Sequence, residues 1–274
     1  MPELPEVEVI RQGLAPLVVG RQVVRVGCSG KKLRLPVPVA ALQARLPGCR
    51  IVAVERRAKY LLLRTDREDL LIIHLGMTGR LGLFAVDVPQ ARHDHLCFLL
   101  DNGLEMRFND ARRFGSVQFF AAAQMRKDDP FAGLGPEPLG KGFTAAYMQK
   151  RAVGRRLPVK GFLMENRVVV GIGNIYASET LFAARIDPLR PAGVLSLEQW
   201  RAITRSARKV LRRAIAAGGS TISDYVNAGG ESGYFQLELA VYGRDGQPCR
   251  SCRATIKRVM VGGRATFFCP GCQG

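Results

Sequence analysis

Acidic residues are what this chain most conspicuously lacks. Its 274 residues include 23 Asp and Glu against 41 Lys and Arg, a net charge of +18. That field suits polyanions, nucleic acid first and an anionic membrane surface second. Long apolar runs are also missing, and none reaches the ~18 residues a membrane span needs. The start, Met1-Pro2-Glu3-Leu4-Pro5-Glu6, is acidic and proline-bearing, unlike a signal peptide. The expectation is a cytoplasmic, nucleoid-associated protein with no membrane partner. Histidine is scarce, with three in all. His93-Asp94-His95 has no further ligand at metal spacing, so it reads as phosphate-contacting or structural, and His74 reads the same way. Seven cysteines suit a reducing compartment if four hold a metal and Cys28, Cys49 and Cys97 are free.

The length allows two domains with real cores. Val7, Ile10, Leu14 and Leu17 recur at helical spacing over Glu3 to Val18. Glu3 and Glu6 each precede an apolar position by four, which sets both carboxylates beside the buried stripe. If Met1 is trimmed, Pro2 becomes a terminal secondary amine. An α-amino group titrates near pH 8, so a useful fraction is unprotonated at neutrality. Such an amine is a nucleophile, its adduct with a sugar carbon is an iminium, and Glu3 stands beside it to move protons.

Residues 20 to 120 read as β. Short runs occur at Gln22–Val26, Ile51–Arg57, Tyr60–Arg64, Leu70–Leu75, Leu96–Leu100, Leu104–Phe108 and Ser116–Phe120, separated by turn residues. They predict an antiparallel sandwich or barrel-like core with the first helix on or near it. Three loops carry polar chemistry: Arg56-Arg57-Ala58-Lys59, His74-Leu75-Gly76-Met77-Thr78-Gly79-Arg80 and Asn109-Asp110-Ala111-Arg112-Arg113-Phe114-Gly115. By composition Met77 and Phe114 are core fillers. On loops beside arginines they read as wedges into a base stack.

Proline and glycine crowd Asp128–Gly140, which reads as a linker. Helical patterning then runs from Thr144 to Ala217, with helices at Thr144–Val153, Val159–Asn166 and Asn174–Ala184. Ser196-Leu197-Glu198-Gln199 is a capping box. It opens a helix that should bury Leu197, Trp200, Ile203, Val210 and Leu211 and solvate Arg201, Arg205, Arg208, Lys209 and Arg212. Residues 220–234 are polar and glycine-rich, as a mobile lid would be.

Cys249-Arg250-Ser251-Cys252 and Cys269-Pro270-Gly271-Cys272 stand sixteen residues apart. Two C-x2-C pairs at this separation predict one structural Zn2+ held by Cys249, Cys252, Cys269 and Cys272, with no open position for water. Disulfides are the alternative. Lys257, Arg258 and Arg264 between the pairs suit contact with a DNA groove or phosphate.

The proline start, Arg57-Ala58-Lys59-Tyr60, His74-Leu75-Gly76-Met77-Thr78-Gly79, Arg112-Arg113-Phe114-Gly115, Leu134-Gly135-Pro136-Glu137-Pro138-Leu139, Gly171-Ile172-Gly173-Asn174-Ile175-Tyr176-Ala177-Ser178-Glu179 and the four cysteines follow one another in order. Together they closely resemble the bacterial formamidopyrimidine-DNA glycosylases over essentially the whole chain. The resemblance implies an α+β multidomain protein. An N-terminal antiparallel β-sandwich with flanking helices (residues 1–132) would precede a linker, a helix–two-turn–helix domain and a lid (133–235). A zinc-finger β-hairpin (236–274) would follow, with DNA in a cleft between the two parts.

It further implies a bifunctional glycosylase and AP lyase, acting as a monomer on duplex DNA with oxidised purines and needing no redox or nucleotide cofactor. Pro2 would attack C1′, Glu3 would shuttle protons, Glu6 would support the site, and Lys59 would assist and hold a phosphate. Lys160, Asn174, Tyr242 and Arg264 would clamp the backbone. Met77, Arg112 and Phe114 would fill the gap left by a flipped base. His74 and His93 would be phosphate contacts, and Thr221, Ser223 and Tyr225 would lie in the lid over the base.

Two departures stand out: Ala111 replaces the family's usual proline, and in Met164-Glu165-Asn166 a glutamate stands where Asp commonly precedes Gln or Asn. The related endonuclease VIII type, which prefers oxidised pyrimidines, shares the proline start and zinc hairpin but lacks the arginine–phenylalanine wedge. A zinc-ribbon DNA binder without catalysis would have no use for the Pro2-Glu3 pair.

Overall fold

The computed structural model describes residues 2–125, 127, 129–218 and 239–273. They form two compact units, one of residues 2–132 and one combining Gly133–Ala217 with residues 239–273. Thr221, Ser223 and Tyr225 lie outside the described residues.

In the first unit, α1 (Leu4–Val18) buries Val7, Ile10, Leu14 and Val18 along one face. Pro5 sits in its first turn, where a missing N–H costs no helix bond. There follow β1 (Val23–Cys28), α2 (Val39–Arg45), β2 (Ile51–Arg57), β3 (Tyr60–Thr65), β4 (Leu70–His74), β5 (Arg80–Ala85), β6 (Asp94–Leu100), β7 (Leu104–Asn109), β8 (Ser116–Phe120) and the short α3 (Ala122–Met125). The strands form two antiparallel four-stranded sheets, β1-β6-β7-β5 and β2-β3-β4-β8. Val7, Leu14, Ile73, Leu83, Phe98 and Phe108 belong to one core shared by α1 and both sheets, as in a β-sandwich.

Near-continuous burial along β3 and β4 has a simple cause. Leu62, Leu70 and Ile72 point away from that core into a second cluster covered by Phe120, Met125 and Phe131. Three elements, α2, β5 and the four-residue α3, escaped the sequence reading. β5 was hidden because Gly82 interrupts its alternation, although Leu81 and Leu83 are buried; α2 buries only Leu42. Cys49 and Cys97 are buried and Cys28 half-buried, all three unpaired.

The second unit holds α4 (Ala145–Ala152), α5 (Val159–Leu163), α6 (Asn174–Ala184), α7 (Leu197–Ala216) and the hairpin β9 (Lys257–Val261) with β10 (Arg264–Phe268). Thr144 caps α4, accepting the Tyr147 N–H at 3.1 Å, and Ser196 with Gln199 forms the capping box of α7. Phe162, Tyr176, Leu181, Trp200 and Ile203 fill the helical core.

Three expectations need correction. The second helix stops at Leu163 rather than Asn166, because residues 164–173 turn back and bury Val168, Val169, Val170 and Ile172. The stretch read as a linker is packed from Gly135 onward: its N–H bonds Asn166 O at 2.8 Å, and a Cβ there would lie 2.5 Å from Val168. Arg208 is not solvated but donates to the carbonyls of Gly140 and Phe143 at 3.1 and 2.7 Å. Leu197 and Val210 are half-buried.

Candidate active site

Pro2 stands half-buried at the head of α1, next to the helix cap. Glu3 and Glu6, only 2 % and 6 % exposed, form a reciprocal capping box in which the Glu3 N–H donates to Glu6 Oε2 at 2.8 Å. A buried carboxylate is tolerated where donors and the positive end of a helix dipole meet it. The two acids are thus held beside Pro2 by the same device that starts the helix. The alternative of two solvated first-turn acids is set aside by their burial.

Lys59 sits in the two-residue turn joining β2 to β3, where Ala58 adopts the left-handed conformation (φ 55°). Glu8 of α1 braces this turn. It bonds Arg56 Nε at 2.9 Å, and Arg56 Nη1 donates to Ala58 O at 2.9 Å. Burial works to raise the Glu8 carboxyl's pKa, but hydrogen bonds from Arg11 and Arg56 outweigh it and hold the group below its ordinary range. This brace ties the helix bearing Pro2 to the turn bearing Lys59. Sequence reading missed it, since Glu8 and Arg56 are 48 residues apart.

His74, at the end of β4, accepts the Gly76 N–H on Nδ1 at 3.0 Å and packs against Tyr60, ring centres 4.9 Å apart. Burial, with Arg34 and Lys59 nearby, lowers its pKa to about 4. At neutral pH the ring is uncharged and its donor is Nε2–H. His93 is half-buried, while His95 is buried between Ser29 Oγ and Asp110 O, each 3.0 Å away, a structural role.

Met77 and Phe114 are both 43 % exposed, so neither is core filling. The Arg112 guanidinium lies 4.6 Å from the centre of the Phe114 ring. Their loops are locked back to back. Fully buried Asp110 accepts from Thr78 Oγ1 at 2.5 Å and from the Gly115 N–H at 2.7 Å. Gly76, at φ +67°, leaves no room for a Cβ, which would stand 2.4 Å from Gly115 N. Gly76→Ala is therefore expected to destabilise the protein by about 2 kcal/mol or more through strain and clash. Thermal unfolding with hydrogen exchange at residues 110–115 checks this; wild-type protection there would refute it. Ala111, the departure from the family's proline, is exposed in a turn already held by Asp110.

In the second unit, Lys160, Asn174 and Tyr242 come together. Lys160 is 1 % exposed, and its Nζ donates to Asn174 Oδ1 at 2.6 Å, Ala265 O at 2.9 Å and Thr266 Oγ1 at 2.8 Å. Asn174, the first residue of α6, donates to Ala265 O at 3.0 Å and reaches the Tyr242 hydroxyl at 3.5 Å. Arg264, next to Ala265 in β10, is exposed.

Glu179, quoted in a motif but given no role from sequence, anchors the chain that carries Tyr242. Its carboxylate accepts the N–H groups of Ala240, Val241 and Tyr242, each at 2.9 Å. Its place four and five residues beyond Ile175 and Asn174 on α6 was the available signal. In Glu179→Gln an amide donor would face one of these N–H groups. A loss of about 2 kcal/mol is expected, the scale of a charge-assisted buried bond. An unchanged melting temperature would mean the backbone finds other acceptors.

Cys249, Cys252, Cys269 and Cys272 bring their Sγ atoms within 4.8 Å of one another. The Cys249–Cys272 and Cys252–Cys269 separations are 3.9 and 3.3 Å. Zn–S bonds of about 2.3 Å in a tetrahedron require edges near 3.8 Å, so the donor set fits one zinc ion. Cys249 and Cys269 are buried with Val241, Ile256 and Phe267 in a core of their own.

Comparison with known proteins agrees along the chain. Residues 1–117 match the formamidopyrimidine-DNA glycosylase N-terminal domain, residues 134–226 its H2TH domain, and residues 246–274 the zinc finger found in FPG and IleRS. Formamidopyrimidine-DNA glycosylases of Stutzerimonas stutzeri and Laribacter hongkongensis are each 48 % identical, with all of both chains covered. Among solved structures, Lactococcus lactis Fpg bound to abasic-site DNA has a TM-score of 0.90 at 33 % identity, with 99 % of both chains covered. MutM with carbocyclic 8-oxo-G DNA has 0.89 at 32 %, again with 99 % of both covered. Wild-type Lactococcus lactis Fpg with oxidised-pyrimidine DNA has 0.89 at 33 % and the same coverage. The chain belongs to the formamidopyrimidine-DNA glycosylase family, zinc-finger DNA repair enzymes that act on damaged bases as both glycosylase and AP lyase.

Proposed function

We propose that this enzyme flips oxidised purines, 8-oxoguanine and formamidopyrimidines, out of duplex DNA and excises them through an iminium on Pro2, then cuts the strand by β,δ-elimination. The observation that carries this reading is the placement of Pro2 beside Glu3 and Glu6, two buried carboxylates locked into the start of α1.

With Met1 removed, the Pro2 nitrogen attacks C1′ of the damaged nucleotide and the base departs. Glu3 supplies and recovers protons, and Glu6 holds the Glu3 backbone in place. The iminium acidifies C2′–H. Loss of that proton expels the 3′ phosphate, and a second elimination releases the 5′ phosphate. Water then hydrolyses the remaining iminium, restoring the Pro2 amine and releasing the unsaturated five-carbon sugar fragment, so the products are the free base, that fragment and a one-nucleotide gap with phosphate at both ends. Lys59 assists and holds a phosphate, with His74 and His93 as further phosphate contacts; His74 would donate as a neutral ring.

Taking a base out of the stack costs a few kcal/mol. Met77, Arg112 and Phe114, on loops braced through Asp110, offset part of this by filling the gap. Asn174, Tyr242 and Arg264 clamp the backbone, and Lys160, buried with its Nζ bonded to Asn174, Ala265 and Thr266, belongs to the clamp by holding Asn174 and β10 in place. Thr221, Ser223 and Tyr225 are assigned to the base-covering lid. The zinc ion, held by Cys249, Cys252, Cys269 and Cys272, supplies no chemistry and keeps the hairpin folded. The working division is residues 1–132, 133–235 and 236–274, in a cytoplasmic monomer.

Borohydride trapping on a duplex with 8-oxoguanine opposite cytosine, followed by mass-spectrometric mapping, tests the assignment. An adduct on Pro2 is expected, whereas one on Lys59 would move the nucleophile. The second reading is oxidised pyrimidines, favoured by the oxidised-pyrimidine complex of the structurally similar Lactococcus lactis enzyme. Relative cleavage of 8-oxoguanine:C and thymine glycol:A duplexes separates the two.

A further inference from the structure

Helix α7 bears Arg201, Arg205, Arg208, Lys209, Arg212 and Arg213 and one acid, Glu198. Its buried residues, Trp200, Ile203, Thr204, Ala207, Leu211 and Ala214, define the side turned to the core. At 3.6 residues per turn, Arg201, Arg205 and Arg212 fall within about 40° of one another on a flank away from that side. Lys209 borders them. All four are exposed, and no hydrogen bond or ion pair engages their side chains among the described residues. Arg208, by contrast, is an anchor. Its bonds to Gly140 and Phe143 carbonyls bring exposed Lys141 close to the same flank.

An ordinary solvated face mixes signs. Here the pairs 201/205, 205/209, 208/212 and 209/213 each set like charges four apart, an arrangement that weakens a helix. None of the large exposed apolar side chains of the described residues lies on α7. Protein interfaces have apolar, aromatic-rich centres, so this face does not suit a protein partner. Guanidinium forks match phosphate oxygens. From Arg201 to Arg212 the stripe runs about 16 Å, comparable to the rise of about five phosphates along one strand of duplex DNA.

We propose that this flank of α7 is a second DNA-contacting surface, separate from the Lys160–Asn174–Tyr242 cluster, that grips the backbone of undamaged duplex without reading sequence. An enzyme engaged at one site could then hold a neighbouring duplex segment and transfer to it. The inference needs no particular chemistry at Pro2.

The test uses the full zinc-loaded protein, saturated with a short duplex carrying a non-cleavable tetrahydrofuran site. A second, labelled undamaged duplex is added at low salt, and the complexes are followed by sedimentation. A ternary complex is expected. In the triple variant Arg201→Gln, Arg205→Gln, Arg212→Gln, which keeps good helix formers, affinity for the second duplex should fall at least about tenfold. The slope of its log-affinity against log-salt should shrink by about 2.7, three lost phosphate contacts at about 0.9 each. Affinity for the first duplex should hold. The control Arg21→Gln, Arg25→Gln, Lys31→Gln removes equal charge from exposed positions in the other unit and should leave the second duplex bound. Absence of a ternary complex, or an equal loss in this control, overturns the proposal.

Discussion

A chain that keeps Met1 is expected to bind a lesion-bearing duplex with near-normal affinity and leave it uncut. In the processed protein Pro2 ends in a secondary amine with a free lone pair. In the Met1 form the same nitrogen is a tertiary amide, its lone pair delocalised into the carbonyl. Removing a covalent nucleophile from a site that acts as a unit costs at least about a thousandfold in rate. Both base release and strand cleavage should fall together, because in the proposed mechanism each passes through the same adduct. Binding should change by no more than about threefold, since phosphate contacts from basic residues carry most of the affinity. Single-turnover cleavage and borohydride trapping on one preparation, with the mass of the intact protein to verify Met1, make the measurement. Full cleavage by a homogeneous Met1 form would remove Pro2 from the mechanism. Loss of binding alongside cleavage would instead indicate that the extra residue disturbs the Glu3–Glu6 cap.

Zinc removal should have the other large effect, and it should act on binding. The hairpin's own core is five buried residues, Val241, Cys249, Ile256, Phe267 and Cys269, two of them metal ligands. So small a core does not hold a fold without help. Binding of structural zinc is worth about 10–16 kcal/mol in zinc-finger peptides, which makes it folding energy here. The consequence reaches beyond the hairpin. Ala265 O and Thr266 Oγ1 are acceptors for buried Lys160, and Ala265 O also accepts from Asn174. Unfolding β10 would strip Lys160 of two partners and release Arg264, so the proposed phosphate clamp would lose its geometry at once. Chelated protein, or Cys269→Ser, should lose at least about a hundredfold in lesion-duplex affinity, the loss of several charge-assisted contacts. Metal analysis should find one zinc per chain before treatment and none after. Circular dichroism should show the first unit still folded. Undiminished binding by demonstrably zinc-free protein would refute the argument.

Elements with strong local signals were legible in the sequence. The helix opening at Glu3, the strand Ile51–Arg57, the capping box at Ser196 and the paired C-x2-C turns depend on neighbours within a few residues. So did the choice of Pro2 and Glu3, because an amine and an acid adjacent in sequence stay adjacent in any fold. What escaped was set at long range. Arg208 carries the same charge as Arg205, and only the carbonyls of Gly140 and Phe143, more than 60 residues away, turn it into an anchor. Asp110 looked like one residue of a polar turn. Its burial and its grip on Thr78 and Gly115 exist only because two loops meet through Gly76.

The sequence by itself therefore determined the chemistry on offer. It set a proline at position 2 beside carboxylates, four cysteines at zinc spacing and a strongly basic composition, since composition and short spacing do not depend on how the chain folds. Tertiary structure alone decided which of these groups are buried and braced. It desolvated Glu3 and Glu6, left Met77 and Phe114 exposed, and used Glu179 to hold Tyr242 near Asn174. Burial and cross-chain hydrogen bonds arise from packing between segments distant in sequence, and no local pattern encodes them.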